Sequence, residues 1–381
     1  MILTAFLFAG CGGKRAESET SSLESDDPTT TISDKESVDE SEQSTTAAEM
    51  ETFTFSDDDT PIDDTSGVST LGRAADALDE DAMGEDTYGE YLIYQGGEMY
   101  LPCSLGAQGS IEGGVVLLMF LDGEPQPYRV EGGDGEGDIS CAYSHVFYPE
   151  EDETMICEIY FTPLTGEAGE TLEYWFAAIP WASYFPPEFR INPWLLTAGA
   201  MEAGGRILFE ADTPDDQENQ TVITEAAYDD ATYTITYEDI QDNESLAIST
   251  GTTSLWYVDG ARAVYRGIEY GVAEGDIITI RYVIYGSTYE TFGLTFYLDH
   301  EPILVDGGAI PIEIQSGQKT VVELEFTLDE FDGSSILYAA LAPQNYWTLL
   351  NSGLTQPDFL KLTDTVYLTS AANLEELWSG R

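Results

Sequence analysis

The chain has 381 residues, with 72 acidic against 13 basic side chains and a formal net charge of −59 at pH 7. Nucleic acid is excluded as a partner because binding it requires clustered Lys and Arg. The same charge disfavours anionic lipid headgroups and phosphate-rich polymers. Hydrophobic residues still make up 42% of the chain, enough for a globular core with the charge on its surface. Cations, cationic proteins and neutral glycans remain as partners.

The first eleven residues form a largely apolar run in which Ala9 and Gly10 directly precede Cys11. This order resembles the lipobox of bacterial lipoproteins, which implies that Cys11 is lipidated and becomes the mature N-terminus. The segment departs from the family in two ways. No basic residue precedes Cys11, and Phe8 stands where an aliphatic residue is usual. The resemblance implies a protein held at the extracellular face of the cell membrane through its lipid alone.

Residues 12–86 are dominated by Ser, Thr, Asp and Glu, with apolar residues only scattered among them. Such a composition cannot bury enough apolar surface to offset the conformational entropy lost on folding. We therefore predict a disordered acidic tether. A flexible chain of this length spans about 50 Å, and repulsion between carboxylates extends it further.

Beyond residue 86 the apolar residues follow the period of β-strands. Residues 233–237, 278–284 and 322–328 alternate between apolar and polar side chains, which predicts half-buried antiparallel strands. Residues 115–121 are continuously apolar but too short to cross a bilayer, so they predict a core strand. Helices do not alternate with these strands in the sequence, which excludes a doubly wound α/β fold. The predicted fold class is all-β.

Several short motifs occur twice in the same order. Residues 121–125 read LDGEP and residues 298–302 read LDHEP, each after an apolar strand. Residues 175–180 read WFAAIP and resemble residues 338–343, which read YAALAP. Ordered matches at similar spacing indicate a duplicated unit.

The repeats predict two related antiparallel β-sandwiches, at residues 87–213 and 263–381. The β-rich segment 214–262 between them either completes one sandwich or forms a small bridging unit. Each copy resembles the immunoglobulin-like modules of surface lipoproteins of Gram-positive bacteria, over residues 89–210 and 265–372. The resemblance implies a display or binding module, and it identifies no catalytic residue in this chain.

The Asp-Gly pair at residues 122–123 predicts a tight turn with positive φ, and Pro125 then limits strand pairing. In the second copy His300 replaces Gly123, which predicts a turn of another type. A lone His beside a turn usually faces water, and a role for His300 as a ligand or base is the alternative.

Besides Cys11 the chain has Cys103, Cys141 and Cys157. Alignment of the two copies places Cys103 and Cys157 on different strands with both side chains inward. They either form a disulfide between the two sheets or pack as small buried hydrophobic residues. A bond between Cys141 and Cys157 is a further option. The sequence has neither a CxxC motif nor a Cys/His cluster that would indicate zinc.

Residues 134–138 place Asp134, Glu136 and Asp138 at alternate positions between glycines, as calcium loops do. His145 stands at the twelfth position, where an EF-hand has its bidentate glutamate. The segment predicts either weak calcium binding or a flexible acidic hairpin tip. Calcium is the only cofactor that the sequence suggests.

Residues 180–194 combine four prolines with five aromatic side chains in a stiff loop, because proline does not continue a central strand. Such aromatic residues favour a platform for sugar rings or a protein hot spot. Alternatively they pack against the sandwich, because large aromatic side chains are costly to expose. The five are Trp181, Tyr184, Phe185, Phe189 and Trp194.

These motifs favour binding over catalysis. The sequence contains no nucleophile motif such as G-x-S-x-G, although a glycoside hydrolase needs only two carboxylates at the right separation. We therefore predict a lipid-anchored cell-surface protein that binds or scaffolds an unknown protein or glycan without catalysis. A glycan-binding module that uses the aromatic loop is the alternative, and a carboxylate-dependent hydrolase is the third hypothesis.

Overall fold

From Gly67 onward, alternating and continuous apolar runs form β-strands. Cys11 and its predicted lipidation lie outside the residues that the structure describes. All residues that the structure describes belong to one compact unit of the chain, Ser56–Arg381. The computed structural model describes residues 67–131 without 110 and 112, 141–180, 200–214, 228, 230–240, 253–258, 261–262, 268–270, 272–285, 290–344 without 316 and 330, 346–347, and 360–370 without 364.

The first sandwich consists of two sheets. The first outer sheet has the order β1-β4-β9-β7, and the first inner sheet has the order β2-β3-β11-β10-β5-β6, with β8 paired to β5. Two 3-10 turns, Ala75–Ala77 and Glu80–Ala82, connect β1 to β2. The strands are β1 (Gly67–Arg73), β2 (Met83–Asp86), β3 (Gly89–Tyr94), β4 (Met99–Gln108), β5 (Val115–Leu121), β6 (Glu124–Pro125), β7 (Arg129–Glu131), β8 (Ser144–Phe147), β9 (Thr154–Phe161), β10 (Thr171–Pro180) and β11 (Met201–Phe209).

The second sandwich repeats this plan. The second outer sheet has the order β12-β20-β16-β13-β14, and the second inner sheet has the order β15-β23-β21-β17-β18, with β19 on β17 and β22 on β21. The strands are β12 (Thr232–Asp239), β13 (Thr253–Val258), β14 (Ala261–Arg262), β15 (Ile268–Tyr270), β16 (Ile277–Tyr285), β17 (Glu290–Leu298), β18 (Glu301–Ile303), β19 (Ile310–Ile314), β20 (Gln318–Thr327), β21 (Ser334–Pro343), β22 (Lys361–Leu362) and β23 (Val366–Thr369).

The all-β prediction is confirmed. Among the described strand pairs, only β3 with β11 and β15 with β23 run parallel, and the others are antiparallel. The two sandwiches stack through their inner sheets, so four sheets enclose three apolar layers. All seven residues of β5 are buried, because its two faces contact different layers.

The layer between the two inner sheets, which we call the junction, contains aromatic side chains from equivalent positions of both copies. Trp175 pairs with Phe120 in the first inner sheet, and Tyr338 pairs with Tyr297 in the second. The rings of Phe120 and Tyr297 meet edge to face with centroids 6.3 Å apart. The predicted duplication therefore extends to the surface through which the two copies pack.

The domain boundaries differ from those expected. Strands β1 and β2 lie within residues 67–86, which were assigned to the tether, because β1 pairs with β4 and β2 pairs with β3. Strands β12, β13 and β14, from the undecided segment 214–262, complete the second outer sheet. Since β1 beside β4 and β13 beside β16 hold equivalent places, each repeat begins before the boundary that its sequence motifs indicate.

The two LDxEP turns have the same conformation, so the prediction of a different turn at His300 was wrong. Asp122 and Gly123 have φ of 50° and 85°, and Asp299 and His300 have φ of 50° and 70°. His300 does not face water either, because it is only 7% exposed and its Nδ1 lies 3.1 Å from the hydroxyl of Tyr338. Burial against this tyrosine offsets the strain of positive φ in a non-glycine residue.

Candidate functional site

Most of the predicted site residues lie outside the part of the chain that the structure describes. This applies to the five aromatic residues of the loop and to Asp134, Glu136 and Asp138 of the acidic segment. Within the described ranges, no group of three or more His, Cys, Asp or Glu residues is arranged to hold a metal ion. The aromatic platform and the calcium site therefore stay predictions.

Cys103 and Cys157 are both inward and almost completely buried, as expected. They lie directly opposite each other on β4 and β9, in one sheet rather than across two, and both are free thiols. Burial raises the pKa of Cys103 to about 12 and that of Cys157 well above its ordinary value. In this structure the pair packs as small hydrophobic residues with unreactive thiols.

A cleft opens where the β3–β4 turn meets the 3-10 turns that follow β1. Its volume is about 340 Å³, at the lower end of the roughly 300–1,000 Å³ typical of small-molecule sites. We call it the Tyr100 cleft, after the side chain of β4 that forms one wall. Acidic residues line its rim and buried apolar residues its floor; they include Asp79, Asp81, Glu98, Leu92, Tyr94 and Met99.

Tyr100 is fixed by a row of side chains on the exposed face of the first outer sheet. Tyr160 lies opposite it on β9, with ring centroids 5.0 Å apart, and Arg129 lies opposite Tyr160 on β7. The guanidinium carbon of Arg129 is 4.1 Å from the centre of the Tyr160 ring. Arg129 Nε and Nη2 each donate to a carboxylate oxygen of Glu98 at 2.6 Å. The row supports Tyr100 from one side, and its ring borders the cleft.

The floor of the cleft contains an unused hydrogen-bonding group. Tyr94 is 1% exposed, and its hydroxyl has no hydrogen-bond partner among the described residues. The backbone N–H of Gly97 lies near this oxygen but outside hydrogen-bond geometry, and burial raises the pKa of Tyr94. A buried hydroxyl without a partner is uncommon, and a ligand group in the cleft would satisfy it.

The rim gives the cleft a negative charge. Arg129 compensates Glu98, whereas none of the ion pairs among the described residues includes Asp79 or Asp81. Both aspartates are exposed, so they can bind a solvated ligand without a buried-charge penalty. The cleft therefore combines a fixed aromatic wall, a buried hydroxyl and two uncompensated carboxylates.

Sequence reasoning missed Tyr100, Tyr160 and Arg129. Their signal was present, because Tyr100 lies between the buried Met99 and Leu101 and so faces outward on a predicted strand. The meeting of Tyr100 with Tyr160, 60 positions along the chain, depends on the register of β4 with β9.

The carboxyl groups with the largest upward pKa shifts among the described residues lie at the junction, away from this cleft. Glu173 accepts the backbone N–H groups of Tyr346 and Trp347 at 2.9 and 2.6 Å. Burial raises the pKa of Glu173 to about 7, against the lowering effect of these bonds. Burial also raises the pKa of Asp122, in the turn nearby, to about 6. Glu173 holds the second sandwich onto the first.

Neither models of known protein families nor curated proteins match this chain. Among solved structures, titin A168169 is 10% identical over 74% of this chain and 96% of that one, with a TM-score of 0.17. The SafA pilin of Salmonella enterica with its SafB chaperone is 11% identical over 73% and 92%, with a TM-score of 0.19. The N-terminal domain of PorA is 9% identical over 31% and 96%, with a TM-score of 0.16. Similarities this slight carry no argument, so the interpretation rests on this chain's own residues.

Among the residues that the structure describes, no helix has the length and apolar character needed to cross a membrane.

Proposed function

We propose that this protein is a non-catalytic binding and scaffolding protein at the extracellular face of the cell membrane, anchored through a lipid on Cys11. The observation that carries the binding role is the Tyr100 cleft, an aromatic-walled cleft on the outside of a stack of four sheets. The anchor rests on the small residues before Cys11 and on the long acidic segment after it.

The stack supports this role because it is a stiff base for a binding face. The junction buries aromatic side chains of both inner sheets, and backbone N–H groups of the second sandwich bond to Glu173 of the first. Sites on strands of a packed scaffold hold their side chains more precisely than sites on loops. Tyr100 and Tyr160 lie on central strands of the first outer sheet.

The positions of the carboxyl groups with raised pKa values support binding rather than hydrolysis. A general acid needs a carboxyl group whose pKa is raised towards neutrality and which reaches the substrate. Glu173 has such a pKa, but both of its oxygens accept backbone N–H groups inside the junction. This carboxyl group has a structural task and is not directed at the cleft.

Membrane fractionation tests the anchor. The wild-type chain expressed in a bacterium should sediment with membranes, and the Cys11→Ser variant should appear in the soluble fraction or the medium. Protease added to intact cells should degrade the wild-type protein if it lies outside. Membrane retention of Cys11→Ser would contradict the anchor, and protection from protease would contradict the location.

A panel of immobilised polysaccharides and purified extracellular proteins tests the binding face with the full-length chain. Tyr100→Ala should weaken binding to whichever member is bound by about tenfold or more. Thr279→Ala is the matched control, because Thr279 holds the equivalent place in the second outer sheet. A panel without any bound member, or equal losses in both variants, would contradict a role for this face.

The same panel tests the aromatic loop as the alternative platform. If the loop carries glycan binding, Trp181→Ala with Trp194→Ala should abolish it while the Tyr100→Ala variant still binds.

A further inference from the structure

We infer that the Tyr100 cleft binds an amino-bearing glycan, that is, a chain of hexosamine units with free amino groups. The inference rests on the proposed function and names the ligand class of the same site. The wall, rim and floor of the cleft each match a different part of such a sugar.

The aromatic wall matches the face of a pyranose ring. The C–H bonds on one face of a pyranose carry partial positive charge and meet the negative face of an aromatic ring. Stacking of this kind needs a ring whose orientation is already fixed. Tyr160, which is itself held by Arg129, packs against Tyr100, and the hydroxyl of Tyr100 lies 3.5 Å from Glu158. These contacts fix the ring.

The acidic rim matches the ammonium and hydroxyl groups of a hexosamine. Asp79 and Asp81 lie on the rim together with Glu98, and Glu98 is already paired with Arg129. The two free carboxylates can accept charge-assisted hydrogen bonds from an ammonium group and from adjacent hydroxyls. The same charges repel uronic and sialic acids, which makes acidic glycans poor ligands.

The floor matches a hydroxyl or amide at the depth of the cleft. The buried hydroxyl of Tyr94 both donates and accepts, and no described group satisfies it. A small metal cation would use the carboxylates but neither the Tyr100 face nor this hydroxyl. A lysine-rich peptide would also leave the hydroxyl unsatisfied, so a sugar uses more of the site.

The volume agrees with a ligand of this size. A cleft of about 340 Å³ that opens to solvent takes a few rings of a longer chain rather than a large folded partner. The Gly96–Gly97 turn borders the cleft through Gly96, and both glycines have positive φ. A backbone without side chains at this point leaves the end of the cleft unobstructed.

Calorimetric titration of the full-length chain with three soluble probes tests the inference. The probes are a tetramer of glucosamine, the matching tetramer of N-acetylglucosamine, and tetralysine. The glucosamine tetramer should bind about tenfold or more tightly than either of the others, because only it offers rings and ammonium groups together. Its affinity should fall as salt rises, since the rim is exposed.

Four variants locate the contacts. Tyr100→Ala should weaken glucosamine binding about tenfold or more, and Asp79→Asn with Asp81→Asn should remove the preference over the N-acetylated tetramer. Tyr94→Phe keeps the ring and should weaken binding about threefold to tenfold. Tyr297→Phe is its control, because this buried hydroxyl also lacks a partner but lies at the junction.

The failures of the two proposals are distinguishable. Equal binding of tetralysine and the glucosamine tetramer, or no effect of Tyr100→Ala on the latter, would overturn the inference. If a protein on the panel binds through Tyr100 and no sugar does, the binding role stands and the glycan inference falls. If no ligand depends on Tyr100, both fall.

Discussion

Where the first outer sheet carries Tyr100 opposite Tyr160, the second outer sheet carries Thr279 opposite Glu325. Inside, the same strands carry apolar residues in both copies, such as Ile159 and Leu324. Core positions are constrained by packing, whereas exposed positions are free to vary without cost to the fold. Because Thr279 and Glu325 hold the places of Tyr100 and Tyr160 in a sandwich of the same plan, folding does not require aromatic side chains at these two positions.

The largest effect is expected where the two copies touch. Gly293 lies against the Gly123 turn of the first sandwich, and a Cβ added at Gly293 would lie 2.0 Å from the Gly123 carbonyl oxygen. Val116 holds the equivalent place in the first copy, so the need for glycine comes from the junction. Gly293→Ala should lower the free energy of unfolding by about 3 kcal/mol, measured by denaturant titration.

Gly72→Ala is the control, because nothing lies within 4 Å of a Cβ added there. It should change the free energy of unfolding by less than about 0.5 kcal/mol. Similar losses in the two variants would show that the Gly123 turn does not pack against β17 as described.

The second-largest effect is expected in the pH dependence of the free energy of unfolding, which comes from buried carboxyl groups at the junction. Burial raises the pKa of Glu173 from 4.5 to about 7 and that of Asp122 from 3.8 to about 6. Protons therefore bind more tightly to the folded than to the unfolded state, and the cost of these buried charges is lost as pH falls. The free energy of unfolding should rise between pH 7.5 and 5, by at most about 1.4 kcal/mol per pH unit for each group.

Glu173→Gln should flatten this dependence, whereas Glu325→Gln on the exposed face of the second outer sheet should leave it unchanged. Asp122 faces Glu170 and Glu124 as well as Glu173, so part of the slope should persist in Glu173→Gln. Stability that falls on acidification from pH 7.5 to 5 in the wild-type chain would contradict the assignment.

The smallest effect is expected from making the two cores more alike. Cys157 holds the place of Val322, and its partner Cys103 that of Tyr282. Cys157→Val replaces the thiol by a slightly larger apolar side chain and should change the free energy of unfolding by less than about 1.5 kcal/mol. In a native chain in which Cys11 and the half-buried Cys141 are replaced by Ser, a thiol-reactive chromophore should label neither Cys103 nor Cys157 until the protein unfolds. Immediate labelling, or mass spectrometry that finds a bond between Cys103 and Cys157, would contradict free buried thiols.

The strands that follow a clear period could be predicted because each residue's face depends only on its neighbours. Residues 115–121 form β5 and residues 322–327 lie in β20, both with the expected burial, and the LDGEP and LDHEP motifs mark equivalent turns. Strand β1 escaped prediction because it lies in a polar stretch and has few apolar residues. Val68 and Leu71 pack against the core only because β1 pairs with β4.

The sequence by itself determined the fold class, the duplication and which residues of each strand alternate between core and solvent, because these depend on local periodicity. Only the tertiary structure decided that both faces of each inner sheet are buried, since the second face is covered by the other copy. The Tyr100 cleft likewise exists only in the folded chain. The register of β4, β7 and β9 and the path of residues 75–82 bring side chains together there that are far apart in the sequence. Contacts over such sequence separations follow from strand pairing and packing, which no local pattern records.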